Sequence, residues 1–225
     1  MGLFAPAGHE RGAQLKRQLA SAAIAATRAI KSVDAKARFI CAEPLIEITC
    51  HSGDPEEVAA AEASRQSQFE ALDMLLVNLA PELGGGPELI DVIGLNYYPD
   101  NQWYFRGSFI PLGHFAYRPL RTMLAEVYLR YRRPLLIAET GAEGSARPAW
   151  LHYVASETAA ARREGVPVEG LCIYPILDYP GWYDERHCQV GLFSLPGRTD
   201  ERHTDRDLAA ELRRQQLIMS GADLL

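Results

Sequence analysis

Four apolar runs in this chain each end on side chains that could do chemistry. Pro134-Leu135-Leu136-Ile137-Ala138 leads into Glu139-Thr140-Gly141, and Ala37 to Ala42 leads into Glu43-Pro44. Leu89 to Leu95 leads into Asn96-Tyr97-Tyr98, and Val168 to Ile176 into Leu177-Asp178-Tyr179-Pro180-Gly181-Trp182. A carboxylate at the end of a rigid strand can attack an electrophilic carbon or carry a proton. An amide and a phenol beside it can hydrogen-bond a polar ligand, and an aromatic face can hold the ligand's apolar side. His51 beside Cys50 and His187 beside Cys188 suggest a metal, but neither pair has a second pair at ligand spacing, so no metal is expected. No cofactor is expected either, since neither a G-x-G-x-x-G nor a Walker pattern occurs.

The elements that must position these residues follow from apolar spacing. Leu15, Leu19, Ala23, Ile24 and Ile30 recur at helical intervals between Gly12 and Lys31, which predicts an amphipathic helix with Arg and Lys outside. Asp54-Pro55-Glu56-Glu57 reads as a capped helix start that continues to Leu79, and Gly84-Gly85-Gly86-Pro87 closes that unit. An irregular aromatic loop from Pro99 to Tyr117 carries Trp103. Further helices are expected from Leu120 to Arg132, Trp150 to Glu164 and about Asp205 to Met219, with Arg130, Arg132 and Arg133 forming a solvated basic helix end.

Helix and strand thus alternate about four times, and the near-continuous apolar character of the strands suits a parallel sheet buried on both faces. An open doubly wound sheet would typically carry a glycine-rich phosphate loop after its first strand. A β/α barrel instead gathers reactive side chains at the C-terminal ends of several strands, where Glu43, Asn96, Tyr98, Glu139 and Asp178 all fall. Eight strands and about 250 residues make a full barrel. The expectation is therefore an α/β fold, a partial (β/α)8 TIM barrel of four strands, as one domain over residues 1–225.

Bulk properties narrow the partners. A chain of 225 residues that is 48% hydrophobic can bury a sizeable core. With 23 Lys and Arg against 29 Asp and Glu, a net charge of −6 draws it toward neither nucleic acid nor an anionic membrane, and favours a small neutral or polar ligand. The four cysteines lack a C-x-x-C pair and read as reduced thiols. The start MGLFAPAGHERG has no signal-peptide pattern and no apolar run reaches membrane length, so the cytoplasm is the expected compartment.

Three motifs in chain order, D-V-I-G-L-N-Y-Y (Asp91 to Tyr98), I-A-E-T-G (Ile137 to Gly141) and Y-P-I-L-D-Y-P-G-W (Tyr174 to Trp182), together resemble the last three strands of a family-1 glycoside hydrolase of the β-glucosidase type. The resemblance covers about residues 37–195 and implies strands 5–8 of such a barrel. It implies that Glu139 is the nucleophile of a retaining hydrolysis of O-glycosides, that Tyr98 donates a hydrogen bond to it, and that Asn96 lies beside the sugar. Trp182, Trp103 and Tyr98 become candidates for the sugar platform and Asp178 for a sugar contact. The family's Asn-Glu-Pro acid/base belongs to strand four. Ala42-Glu43-Pro44 echoes it but falls on strand five by count, so Glu43 reads as a structural or binding residue, and the acid/base is expected before Met1. Three departures stand out: Thr140 replaces an asparagine, Gly181 a sugar-binding glutamate and Tyr174 a tryptophan. The competing expectation is a non-catalytic carbohydrate-binding or scaffold half-barrel, because four strands with two open edges call for a homodimer or a separate N-terminal half.

Overall fold

Helix α1 (Gly12–Val33) forms where the apolar residues return at helical spacing, and it buries Ala20, Ile24 and Thr27. The structure is a computed structural model that describes residues 10–181, 184, 186–195 and 201–220. Strands β1 (Ile40–Pro44), β2 (Glu47–Thr49), β3 (Val92–Asn96), β4 (Gln102–Tyr104), β5 (Leu135–Thr140) and β6 (Val168–Ile173) follow in chain order. Helices α2 (Pro55–Gln66) and α3 (Glu70–Leu75) precede β3, α4 (Leu120–Tyr131) precedes β5, α5 (Arg147–Arg163) precedes β6, and α6 (Arg206–Met219) comes last. Strands β1, β3, β5 and β6 make one all-parallel sheet in that order, each linked to the next through helices. Four parallel strands with intervening helices are half the complement of an eight-stranded barrel, so the fold is a partial β/α barrel.

The core lies between this sheet and its helices. Ile93, Leu95, Leu135 and Ile137 pack with Met123, Leu124 and Val127 of α4 and with Trp150, Val154 and Ala161 of α5. Each fully buried aliphatic side chain of this kind contributes roughly 1.5–3 kcal/mol. The opposite face of the sheet is open: Ile40 is 54% exposed and Cys172 is exposed as well. Among the described residues β1 and β6 each pair along one edge only. No helix among them is long and apolar enough to cross a membrane.

Several boundaries differ from expectation for identifiable reasons. The helix expected to run to Leu79 breaks into α2, a 3-10 turn (Ser67–Phe69) and α3. There the Gln68 side chain clamps the backbone of Ile46, accepting from its N–H at 2.9 Å and donating to its carbonyl at 3.1 Å. Val77 then takes a φ of 71°, while the N–H groups of Asn78 and Leu79 both turn back to the Asp73 carbonyl. The aromatic loop is less irregular than expected, because its β4 pairs in parallel with β2, Trp103 opposite Ile48. Arg130 is exposed at the end of α4, as expected of a solvated helix-end charge, but it is also paired. It grips the buried Asp73 at 2.6 Å across to α3 and lies over the Phe69 ring.

Candidate active site

The site is set by an irregularity in β5. Ile137 is fully buried toward the helices. Ala138 faces the open side, since a Cβ built on Gly94 would lie 3.1 Å from the Ala138 methyl and 3.0 Å from Ile40. Strict alternation would put Thr140 on the open side too. It is instead 1% exposed, with its hydroxyl among the core aromatics. The register shows the cause: Ile137 pairs with Leu95 but Glu139 with Asn96, and an advance from Ile137 to Thr140 answers only Leu171 to Ile173 on β6. A bulge of this type re-aims a side chain, and here the residue it re-aims is Glu139.

Tyr98 meets it. The Tyr98 hydroxyl donates to Glu139 Oε2 at 3.0 Å. Tyr98 is held in turn by its own N–H, which donates to Asn101 Oδ1 at 3.2 Å, and by its carbonyl, which accepts from Asn101 N. Burial pushes the Tyr98 phenol well above its ordinary value, and the hydrogen bond and charge of Glu139 push it the same way, followed by Tyr174 and Tyr179. The phenol therefore stays a donor, which is the state that steadies an ionised carboxylate.

Beside this pair opens a cleft of ≈ 430 Å³ walled by Tyr98, Tyr174, Tyr179 and Pro99, with Asp100 and Glu143 at its border. Three tyrosines give it apolar faces with polar tips, the combination that suits a polyhydroxylated ligand. Gly141 permits its floor: a Cβ there would lie 2.2 Å from the Tyr174 carbonyl oxygen. Arg186 pairs with Glu143 at the rim.

The other expected site residues are distributed less simply. Asn96 ends β3 directly opposite Glu139, and its Oδ1 is buried without a donor among the described residues. Asp178 is 5% exposed and brackets the following loop, accepting from Gly191 N–H at 2.7 Å and meeting His187 Nε2 at 3.2 Å. Trp103 sits half-buried in β4 and does not line the cleft, because the β2–β4 pairing commits its backbone elsewhere. Trp182 lies outside the described residues.

Glu43, expected as a structural or binding residue, does not line this cleft. Cys41 shares its face of β1 and packs on the helix-side core, so Glu43 also turns toward the helices. It borders a mostly apolar groove of ≈ 450 Å³ with Leu15, Lys16 and Leu19 of α1 and Leu75 of α3. Burial raises its carboxyl against the opposing pull of Lys16, and burial together with the Glu43 charge pushes the Cys41 thiol up to about 12. His51 stacks on Tyr104 with centroids 3.9 Å apart.

Two residues that matter here are Gly141, expected only as a neighbour of Glu139, and Thr140, expected only as a departure from the asparagine of the resembled family. The signal lay in the triplet Glu-Thr-Gly itself: a hydroxyl and a residue without a side chain immediately after a strand-end acid.

Solved structures that this chain resembles in fold include glycosidases. The β-glucosidase from Thermotoga maritima in complex with glucoimidazole matches with a TM-score of 0.70 at 17% identity, over 92% of this chain and 56% of that one. The β-glycosidase from the hyperthermophile Thermosphaera aggregans matches with a TM-score of 0.69 at 19% identity, over 96% of this chain and 50% of that one. A hyperthermophilic β-glucosidase mutant matches at 0.65 and 21% identity, over 88% and 47%. The chain spans about half the length of the solved structures it matches. No protein-family model matches the sequence, and no curated protein does.

Proposed function

We propose that this partial barrel, which shares its fold with the family-1 β-glucosidases, acts in retaining hydrolysis of O-glycosides, with Glu139 as the nucleophile. The observation that carries the reading is the Tyr98 hydroxyl on Glu139 Oε2 at 3.0 Å, at the C-terminal ends of parallel strands and beside a tyrosine-walled cleft. In that reading Glu139 attacks the anomeric carbon through Oε1 while Tyr98 holds Oε2. The bond from the anomeric carbon to the leaving oxygen breaks as the bond to the carboxylate forms, and water later releases the sugar. In the same reading Asn96, which pairs with Glu139 across β3 and β5, lies beside the sugar. The substrate is a small glycoside of carbohydrate metabolism, no cofactor takes part, and the cytoplasm is the proposed compartment.

Retention needs a second carboxyl group about 5–5.5 Å from the nucleophile to protonate the leaving oxygen. In this reading it comes from the remaining barrel strands, supplied by a further half-barrel. The one-sided pairing of β1 and β6 and the exposed inner face at Ile40 support such a partner, either a separate N-terminal half or a second copy. If that partner supplies no acid, the same cleft serves as a sugar-binding site without turnover.

The test uses a leaving group that requires no proton. A 2,4-dinitrophenyl 2-deoxy-2-fluoro-β-glucoside should release dinitrophenolate and leave its sugar on the peptide containing Glu139, read by mass spectrometry, with Glu139→Gln unlabelled. Folded protein that stays unlabelled at saturating reagent would sink the nucleophile assignment.

A further inference from the structure

We propose that Thr140 is the positioning residue of this site, its hydroxyl locking the β5 bulge to β3 so that Glu139 stays within reach of Tyr98. The inference rests on the reading of Glu139 as nucleophile for its functional meaning, and on the following geometry for its substance. Thr140 immediately follows Glu139, and Tyr97 immediately precedes Tyr98. The Thr140 hydroxyl donates to the Tyr97 carbonyl at 2.6 Å and accepts from the Trp150 indole N–H at 2.9 Å. One buried oxygen thus ties together the backbones that carry the acid and its phenol partner, and anchors both to α5.

Neither partner of this tie has freedom to follow a displaced strand. Tyr97 is fully buried, its hydroxyl lies 2.6 Å from that of Tyr117 and accepts from Gln102 Nε2 at 2.9 Å. Its ring is stacked against Trp150, with centroids 5.6 Å apart. The backbone adds a parallel link, Tyr97 N–H to the Glu139 carbonyl at 2.9 Å. That link sets the register, but an ordinary β-ladder bond does not select a bulge, because the same ladder accommodates alternating strands. The hydroxyl does select it. Only the bulged backbone turns residue 140 toward Trp150, and a β-branched residue has few rotamers with which to reach those partners otherwise. An apolar side chain there would leave the Tyr97 carbonyl and the Trp150 N–H short of a buried partner and remove the reason for the bulge.

The experiment compares Thr140→Val, which keeps the shape and removes the hydroxyl, with Thr140→Ser, which keeps the hydroxyl and removes the methyl. Two readouts are taken on the full chain. The first is the rate of labelling of Glu139 by the fluoroglucoside. The second is the titration of the Tyr98 phenol by NMR of ring-labelled tyrosine, assigned with Tyr98→Phe; burial acts most on this phenol, followed by Glu139, Tyr174 and Tyr179.

Thr140→Val should slow labelling on the order of a hundredfold, the effect of misplacing a reacting group by about 1 Å, and should lower the Tyr98 titration to that of Glu139→Gln, which lacks the Glu139 charge while burial still acts. Thr140→Ser should melt lower yet keep both the labelling rate and the Tyr98 titration. A folded Thr140→Val with both readouts unchanged would overturn the proposal. So would a Thr140→Ser in which the Tyr98 titration falls to that of Glu139→Gln, a result that stands even if the valine variant does not fold. Should wild type take no label, the nucleophile reading fails while the Tyr98 titration still decides the role of Thr140.

Discussion

Ala42-Glu43-Pro44 and Ala138-Glu139-Thr140 are near copies in sequence: an apolar strand, an alanine, an acid. In space they part. Glu43 keeps the alternation of β1, shares the face of Cys41 and borders an α1 groove beside Lys16. Glu139 escapes alternation through the bulge of β5 and receives the Tyr98 hydroxyl. A strand-end carboxylate therefore becomes a candidate for chemistry only when local backbone geometry delivers it to the open side, and one extra residue decides the face.

The comparison breaks most sharply by exchange of each acid for its amide. Glu139→Gln should lower dinitrophenolate release by about 10³-fold or more, as loss of a nucleophile does, whereas Glu43→Gln should leave the rate unchanged; a Glu43→Gln that matched the Glu139 defect would return Glu43 to the site. Tyr98→Phe comes next, and labelling should slow about 10- to 100-fold, the worth of one hydrogen bond to a charged group. Steady-state rates with the dinitrophenyl glucoside would check it, and an unchanged rate would reduce the 3.0 Å contact to bystander status.

Gly141→Ala tests the cleft floor. Its methyl must displace the Tyr174 carbonyl, a cost of about 1–3 kcal/mol in a packed site, measurable as a shift in urea midpoint. No comparable close approach awaits a methyl at Gly12 on the first turn of α1, where nothing lies within 4 Å, so Gly12→Ala serves as the control.

The smallest effect concerns pH. Burial raises the Glu43 carboxyl in the folded state above 4.5. Between the unfolded value and this raised value the folded state binds more protons, so Glu43 makes stability fall as pH rises through that window and level off above it. Denaturation midpoints of wild type and Glu43→Gln across pH 4 to 7 should show this decline in wild type alone. Identical profiles would remove the buried-carboxyl account of Glu43.

Much of the fold was legible because its causes are local. Helix α1 follows from apolar spacing, α2 from the Asp54 cap and Pro55, and α6 from the cap that Asp205 provides by accepting from Leu208 N–H. The main strands were legible as apolar runs, though Val168 to Ile176 reaches only Ile173 as strand and the Leu89 run starts at Val92. Less legible were features made by distant partners. The β2–β4 pairing joins Glu47 to Gln102 across a whole helical unit, and the break between α2 and α3 answers to the backbone of Ile46. Neither leaves a mark in the local pattern of the residues it affects.

The sequence by itself determined that acids, an amide and a phenol would gather at the ends of parallel strands, because hydrophobic period and strand-end position are encoded residue by residue. Only the tertiary structure decided which strand-end acid meets the Tyr98 hydroxyl. That choice rests on a bulge held by Thr140, Tyr97 and Trp150 from two strands and a helix, and a side chain's face depends on backbone register against neighbours rather than on its own identity.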